Sequence, residues 1–321
     1  MAPAPRDVAA LVFTALEEDL GSVGDLSSTA TIPAEARGQA VLVARADGVI
    51  SGTYFVRETY AQVDPDVEVS LAVQDGERVR AGQVVARIEG PSRALLTGER
   101  VALNFVGLLS GVATTTARLV DLVEGTGAVV VDTRKTIPGL RAAQKRAVRH
   151  GGGANHRFGL HDAVMVKDNH IGLAGGIRSA MERLAERPGP VGHMTTVEIE
   201  VDTLEQLDEL LQVESERAAA GQPPVTDAVL LDNIDQRLGR DFLDALGEAR
   251  RAHPSTDADP LTVIGAARGE LPGRSATPAA PLGKASYKDF TDQVDAGADS
   301  SCYRVELEDL KPDEVARMVS G

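Results

Sequence analysis

The sequence predicts an α/β protein of two domains: a mixed helix-and-strand N-terminal region, then a parallel α/β barrel. Three observations carry this. Residues 39–90 alternate short apolar runs with Gly and Asp, as in "AVLVARADGVISG" and "VEVSLAVQDGERVRAGQVVARIEG", a pattern of short strands and hairpins. From about residue 127 apolar runs recur between helical stretches, the rhythm of βα units around a parallel sheet. Nearly every one of these later runs ends in ionisable residues. Polar groups at the C-terminal ends of parallel strands converge on one rim, which in an α/β barrel is the active-site face.

Taken in order, "DVAALVFTALEED" (7–19) has apolar positions at helical spacing and reads as a helix, followed by the turn-rich "GDLSSTATIP". Within 39–90, "DGERVRAGQVVARIEG" resembles the edge of a lipoyl-type β-sandwich but lacks the lysine at a hairpin tip that carries that cofactor. The stretch "SRALLTGERVALNFVGLLSGVATTTARLVDLVEG" reads as a long helical region interrupted near Ser110-Gly111. Strands are expected at "AVVVDTRK" (128–135), "AVMVKDNH" (163–170), "TVEIEVD" (196–202), "AVLLDN" (228–233) and "LTVIGAARG" (261–269). Helices such as "IRSAMERLAER" and "LEQLDELLQVESERAAA" lie between them. Glu198 and Glu200 are two apart, so a strand presents both on one face. The last strand ends in Arg268 and Gly269 with no acid, and a Pro/Gly/Ser-rich loop follows over 270–289. There is no internal repeat.

With 321 residues, 43% of them hydrophobic, the chain can bury a full core. No apolar run reaches the roughly 18 residues of a membrane span, and the N-terminus shows no signal-peptide pattern. Cys302 is the only cysteine, which excludes an intrachain disulfide and fits a reducing cytoplasm. A net charge of −15, 3% aromatics and no Trp argue against nucleic acid as a partner. Yet "VRHGGGANHRFG" (148–159) and its flanks gather cations and most of the histidines of this acidic chain. Such a local cluster suits a small anion.

The rim carries two kinds of charge. Arg134, Lys135, His156, Arg157 and Lys167 suit carboxylates or phosphates, Arg as a fork and Lys as a point charge. Glu200 and Asp232 suit Mg²⁺, ribose hydroxyls or a developing cation. Lys167 follows the apolar "AVMV", where an unpaired charge is costly, so it is a functional candidate, as are Glu200 in "VEIEV" and Asp232 in "VLLDN". Other positions have simpler readings. Gly151–Gly153 can end the helix "LRAAQKRAVRH" or form an anion-binding nest. His150 and His161 read as structural or surface residues, and Lys145, Arg146 and Arg149 as a solvated helix face. No Ser/His/Asp constellation and no metal-type Cys/His spacing competes.

The segment "DTRKTIPGLRAAQKRAVRHGGGANHRFGLHDAVMVKDNHI" resembles the signature of the quinolinate phosphoribosyltransferase family, the carboxylating nicotinate-nucleotide pyrophosphorylases. The likeness extends to "ALEEDLGSVGDLSS", "LLTGERVALNF", "LSGVATTT", "VEIEVDTLEQLD" and "LLDN", roughly residues 7–235. It implies an N-terminal α/β sandwich (1–112, completed by 305–321), an incomplete parallel α/β barrel (113–304), and a homodimer. It implies a Mg²⁺-dependent reaction of quinolinate with phosphoribosyl pyrophosphate, giving nicotinate mononucleotide, pyrophosphate and CO₂ on the way to NAD. By motif, Arg100 reaches the neighbouring subunit's site; Thr133, Arg134, Lys135, His156, Arg157 and Lys167 hold quinolinate and pyrophosphate; Glu200 and Asp232 face ribose and metal. Three places depart from the family pattern, one of them Ile137 in "KTIPG", where Thr is usual. Where its members read Glu-Ala-Ser-Gly-Gly and Gly-Ala-Leu-Thr-His around the 5′-phosphate, this chain has "GAARGE" (265–270) and "YRVELE" (303–308). Either Arg268 and Arg304, with Gly269, replace the backbone amides, or the phosphate site is lost. A relative using another donor, or a non-catalytic pyridine-carboxylate binder, is therefore the alternative.

Overall fold

The computed structural model describes residues 5–125, 129–186, 191–192, 194–231 and 262–265. Asp232, Arg268, Gly269, Arg304, Cys302 and the 270–289 loop lie outside the described residues. The chain forms two compact units, the first running to His156 and the second starting at Arg157. The expected boundary at 112 falls inside a continuous helix, α4 (Ser92–Leu122).

In the first unit α1 (Pro5–Leu20) buries Val8, Val12 and Leu16, the i, i+4, i+8 face that its sequence promised. After α2 (Leu26–Thr31), capped by the Asp25 side chain on Ser28 N at 2.9 Å, come β1 (Arg37–Val43), β2 (Gly48–Val49) and α3 (Thr53–Val63). Next are β3 (Glu68–Leu71), β4 (Arg78–Val79) and β5 (Val84–Pro91). Strands β1, β5 and β3 form an antiparallel sheet with β5 central, and β2 pairs with β4. One core lies between this sheet and α3–α4, and another joins α1, α4 and α5 (Arg141–His150).

The expected break in α4 does not occur. Ser110 Oγ accepts from Ser51 N at 3.0 Å and donates to Ser51 O at 3.2 Å, so tertiary bonds hold the one stretch where Ser and Gly favour a break. By length and composition α4 could span a bilayer, with a window of mean hydropathy 1.2, which corrects the sequence reading that no such run exists. Its buried residues pack on α3, α5 and the sheet, as a core helix does.

The second unit holds a four-stranded parallel sheet in the order β6 (Val164–Val166), β7 (Val197–Val201), β8 (Ala228–Leu231), β9 (Thr262–Gly265). Helices α6 (Asp168–Ala174) and α7 (Ile177–Ala185) connect β6 to β7, and α8 (Leu204–Ala219) connects β7 to β8. A reciprocal cap starts α8: Gln206 N donates to Thr203 Oγ1 at 3.2 Å and Gln206 Oε1 accepts from Thr203 N at 3.3 Å. Val166, Val197, Ile199, Val201, Val229 and Leu231 form the helix-side core with Met181, Leu207 and Leu210. Strand alternation therefore places Lys167, Glu198 and Glu200 on the opposite face. Of the expected strand 128–135, the described residues 129–135 form one parallel bridge, Val131 with Ala154, beyond which the Asp132 carboxylate bonds Lys145 and His156.

Candidate active site

The glycine run ends a helix. Gly152 has φ +86°, and its N–H donates to Arg149 O while Gly153 N donates to Val148 O, each at 3.0 Å. This is the paired 5→2 and 6→1 closure of a helix C-terminus, and Gly151 N bonds Ala147 O as well. All three amides are thus occupied within the chain, which favours the helix-end reading over the anion nest. Gly151 also lets α5 meet α4 closely: a Cβ there would stand 2.7 Å from Thr116 Cβ and 3.0 Å from Ala117 N.

That closure returns the chain to Asn155 and His156 beside the loop 132–137. Asp132 organises the junction. Its carboxylate accepts from Lys145 Nζ in a short ion pair, from Asn155 Nδ2 at 2.6 Å and from His156 N at 3.0 Å. Lys145 Nζ also donates to His156 O at 3.2 Å, and Asn155 Nδ2 to Lys145 O at 2.7 Å. Lys145 is 2% exposed, so the solvated face expected for it is corrected: its ammonium turns inward to a buried carboxylate. Removing one partner of such a pair costs about 3–5 kcal/mol.

Thr133, Arg134 and Lys135 follow directly. Thr133 Oγ1 accepts from Lys135 N at 3.1 Å, and Arg134 O from Thr136 N at 3.0 Å, which tightens the turn. The side chains of Thr133 and Lys135 are exposed, whereas Arg134 is half-buried. Among the described residues Arg134 Nε is buried without a hydrogen-bond partner, a donor suited to an anion. Arg100 is exposed on α4. His150 is structural: its Nδ1 lies 2.8 Å from Ser51 Oγ, and its Nε2 accepts from Arg146 Nε at 3.4 Å.

In the second unit Lys167 emerges from β6 and bonds Glu200 on β7, Nζ to Oε2, in a short ion pair. Lys167 is 41% exposed in its side chain and Glu200 6%. The backbone N of Lys167 donates to His170 Nδ1 at 3.0 Å, which fixes the strand-to-helix turn. Glu198 is buried one alternation before Glu200. Arg157 Nη1 donates to Ala163 O at 3.1 Å, across a turn in which Asp162 accepts from Phe158 N and Gly159 N at 2.6 and 2.8 Å. Burial works against the Asp162 charge, yet these bonds hold its carboxyl below the ordinary value.

Among the described residues no group of three or more His, Cys, Asp or Glu could hold a metal ion. Mg²⁺ needs no such cage, since it keeps waters and takes one or two carboxylates plus substrate phosphates, a demand that Glu200 fits.

The structure thus places Thr133, Arg134, Lys135 and His156 around one buried ring of bonds and joins Lys167 to Glu200 on one sheet edge. Sequence reasoning missed Asp132, Lys145 and Asn155. The available signal was an acid ending an apolar run directly before Arg-Lys, with an amide just after the glycines.

Residues 25–110 match the quinolinate phosphoribosyl transferase N-terminal domain and residues 112–258 its C-terminal domain. The probable nicotinate-nucleotide pyrophosphorylase [carboxylating] of Bacillus subtilis is 40% identical over 225 residues, 70% of this chain and 72% of that protein. The chloroplastic enzyme of the same name from Oryza sativa is 40% identical over 74% of this chain, which spans 62% of that protein, less than two thirds. The solved nicotinate-nucleotide pyrophosphorylase of Francisella tularensis is 36% identical with TM-score 0.68, covering 82% of this chain and 85% of that one. Sequence, domain order and fold agree: the chain belongs to the quinolinate phosphoribosyltransferase family.

Proposed function

We propose that this chain is a pentosyltransferase of NAD biosynthesis that joins quinolinate to phosphoribosyl pyrophosphate and releases nicotinate mononucleotide, pyrophosphate and CO₂. The observation that carries this reading is the Lys167–Glu200 pair at the C-terminal ends of adjacent parallel strands. One polar pair there offers a cation to a dicarboxylate and a carboxylate to a sugar cation.

Lys135, Arg134, His156, Arg157 and Lys167 bind the two quinolinate carboxylates and the pyrophosphate. The C1–O bond of the ribosyl donor breaks as pyrophosphate leaves, and the pyridine nitrogen forms the new C1–N bond. Glu200 and Asp232 stabilise the positive charge that builds at C1. The pyridinium then accepts the electron pair left at C2 when CO₂ departs, and a proton fills that position. Fixed charges aimed at developing charge contribute about 3–4 kcal/mol each in such steps. Mg²⁺ would be held by the diphosphate oxygens with Glu200 and Asp232, and it would neutralise the leaving group. Arg268, Gly269 and Arg304 are assigned to the 5′-phosphate from sequence alone. A homodimer in which exposed Arg100 reaches the partner's site, in a cytoplasmic setting, completes the reading.

Mass spectrometry of a mixture of protein, quinolinate, phosphoribosyl pyrophosphate and Mg²⁺ should show nicotinate mononucleotide. Quinolinate binding without that product would favour the alternative, a relative with a different donor or none. Light scattering should give a dimer. Mixing inactive Arg100→Ala with inactive Lys167→Ala protein should restore part of the activity, and no restoration would remove the shared site.

A further inference from the structure

The bonds around Asp132 link three pieces of chain: the loop after Val131, helix α5 through Lys145, and the return through Asn155 and His156. The ring is closed. Asp132 holds Lys145, Asn155 and the His156 amide; Lys145 holds the His156 carbonyl; Asn155 holds the Lys145 carbonyl. Its charges are 2% and 7% exposed, so neither is presented to a solute. Yet both ends of the ring run straight into residues proposed to bind anions, Thr133 to Lys135 on one side and His156 on the other.

A well-packed apolar pair could supply stability as well as a buried ion pair does. Directional bonds supply something different. Three donors on one carboxylate fix where the backbone leaves Asp132, and with it the turn closed by Thr133 Oγ1 on Lys135 N and by Gln144 Oε1 on Ile137 N. A set of cations held in place before the ligand arrives avoids reorganisation during binding and reaction.

We infer that Asp132 and Lys145 are positioning residues for the anion site: they set the Thr133–Lys135 turn and the His156 backbone without touching substrate. This rests on the function proposed above.

The test is the double variant Asp132→Asn/Lys145→Met, which removes both charges together and leaves no single buried ion. Three measurements are made on protein shown to be folded by circular dichroism: amide hydrogen exchange over 133–137, calorimetric binding of quinolinate and of inorganic pyrophosphate, and steady-state rates. Exchange in that segment should accelerate at least tenfold, both affinities should fall about tenfold, and kcat should fall along with a rise in KM. If the variant merely melts earlier, with exchange, affinity and kcat of the folded protein unchanged, the inference is overturned. Should the double variant not fold, Asn155→Ala keeps the ion pair while breaking the ring, and about threefold changes in the same readouts are expected; none would refute it. Wild-type protein that binds neither probe and forms no product would defeat the proposed function alone, since the exchange comparison still decides whether the ring sets the turn.

Discussion

Lys167 and Glu200 are bonded to each other, so the two roles proposed for them compete for a single ion pair. Glu200→Gln keeps the shape and removes the charge. Lys167 then has its full charge for a dicarboxylate, and quinolinate should bind up to about tenfold tighter, near the low end for a hydrogen bond to a charged group because Lys167 is partly solvated. Turnover should fall about a hundredfold, the scale of other preorganised charges. Calorimetry and initial rates separate the two effects; weaker binding with unchanged turnover would assign Glu200 to the ground state. His150 gives a second residue-scale expectation. Its Nε2 accepts from Arg146, so the neutral ring carries its proton on Nδ1 and donates to Ser51 Oγ. Burial first, then the charges of Arg146 and Arg149, hold it below the ordinary histidine value of 6.5, with Asp75 opposing. A folded value below the unfolded one means this contribution is full above pH 6.5 and is lost as pH falls through the folded value. Urea unfolding at pH 7.5 and 5.5 should show wild type losing stability that His150→Gln does not lose. Among residues, the sequence announced the exposed cations and the strand-end acid. Asp132 and Lys145 escaped it because a helix carrying "QKRAVR" reads as solvated until the loop that covers Lys145 is known.

The elements that followed from local chemistry are those whose stabilising groups lie within a few residues. Strand β8 stands where a continuous apolar run puts it and β7 where apolar residues alternate with Glu198 and Glu200, and α8 begins at the Thr203–Gln206 cap. Distant bonds changed the others. Ser51, some sixty positions upstream, keeps α4 whole at Ser110, with a sequence separation of 59. Residues 129–135 keep one parallel bridge at Val131, and the chain after it is held by side-chain bonds from α5 and Asn155. The meeting of α4 with the end of α5 allows a sharp test. Gly151→Ala would press a methyl group against the Ala113 carbonyl and the Thr116 and Ala117 atoms of α4. A loss of about 1–3 kcal/mol is expected, as for other overpacked contacts, and should be read from denaturant midpoints. An unchanged midpoint would mean that α5 can withdraw freely from α4.

At the scale of the whole molecule, two units carry the proposed chemistry. The first holds the buried ring, the cationic turn and His156; the second holds Arg157 and the Lys167–Glu200 edge. The α/β class and the parallel sheet were legible because βα rhythm is a property of the full later sequence. The expected boundary at 112 lies within the continuous helix α4, and the two family-domain matches, 25–110 and 112–258, also meet there.

The dryness of the Asp132–Lys145 pair has a further consequence, for how the protein meets salt. Dissolved ions screen charges that face water over about 10 Å at 0.1 M, but they scarcely reach a pair with 7% and 2% exposure. Lys135 and Lys167, open to solvent, belong to the other class. In a chain of net charge −15 the rest of the surface repels an approaching polyanion, and that repulsion is screened as well. Adding potassium chloride from 0.05 to 0.5 M should therefore change pyrophosphate affinity several-fold while exchange protection over 133–137 stays constant. Ionic strength would then separate the part of the site that attracts from the part that holds shape, and a parallel loss of both would show that the ring is open to water.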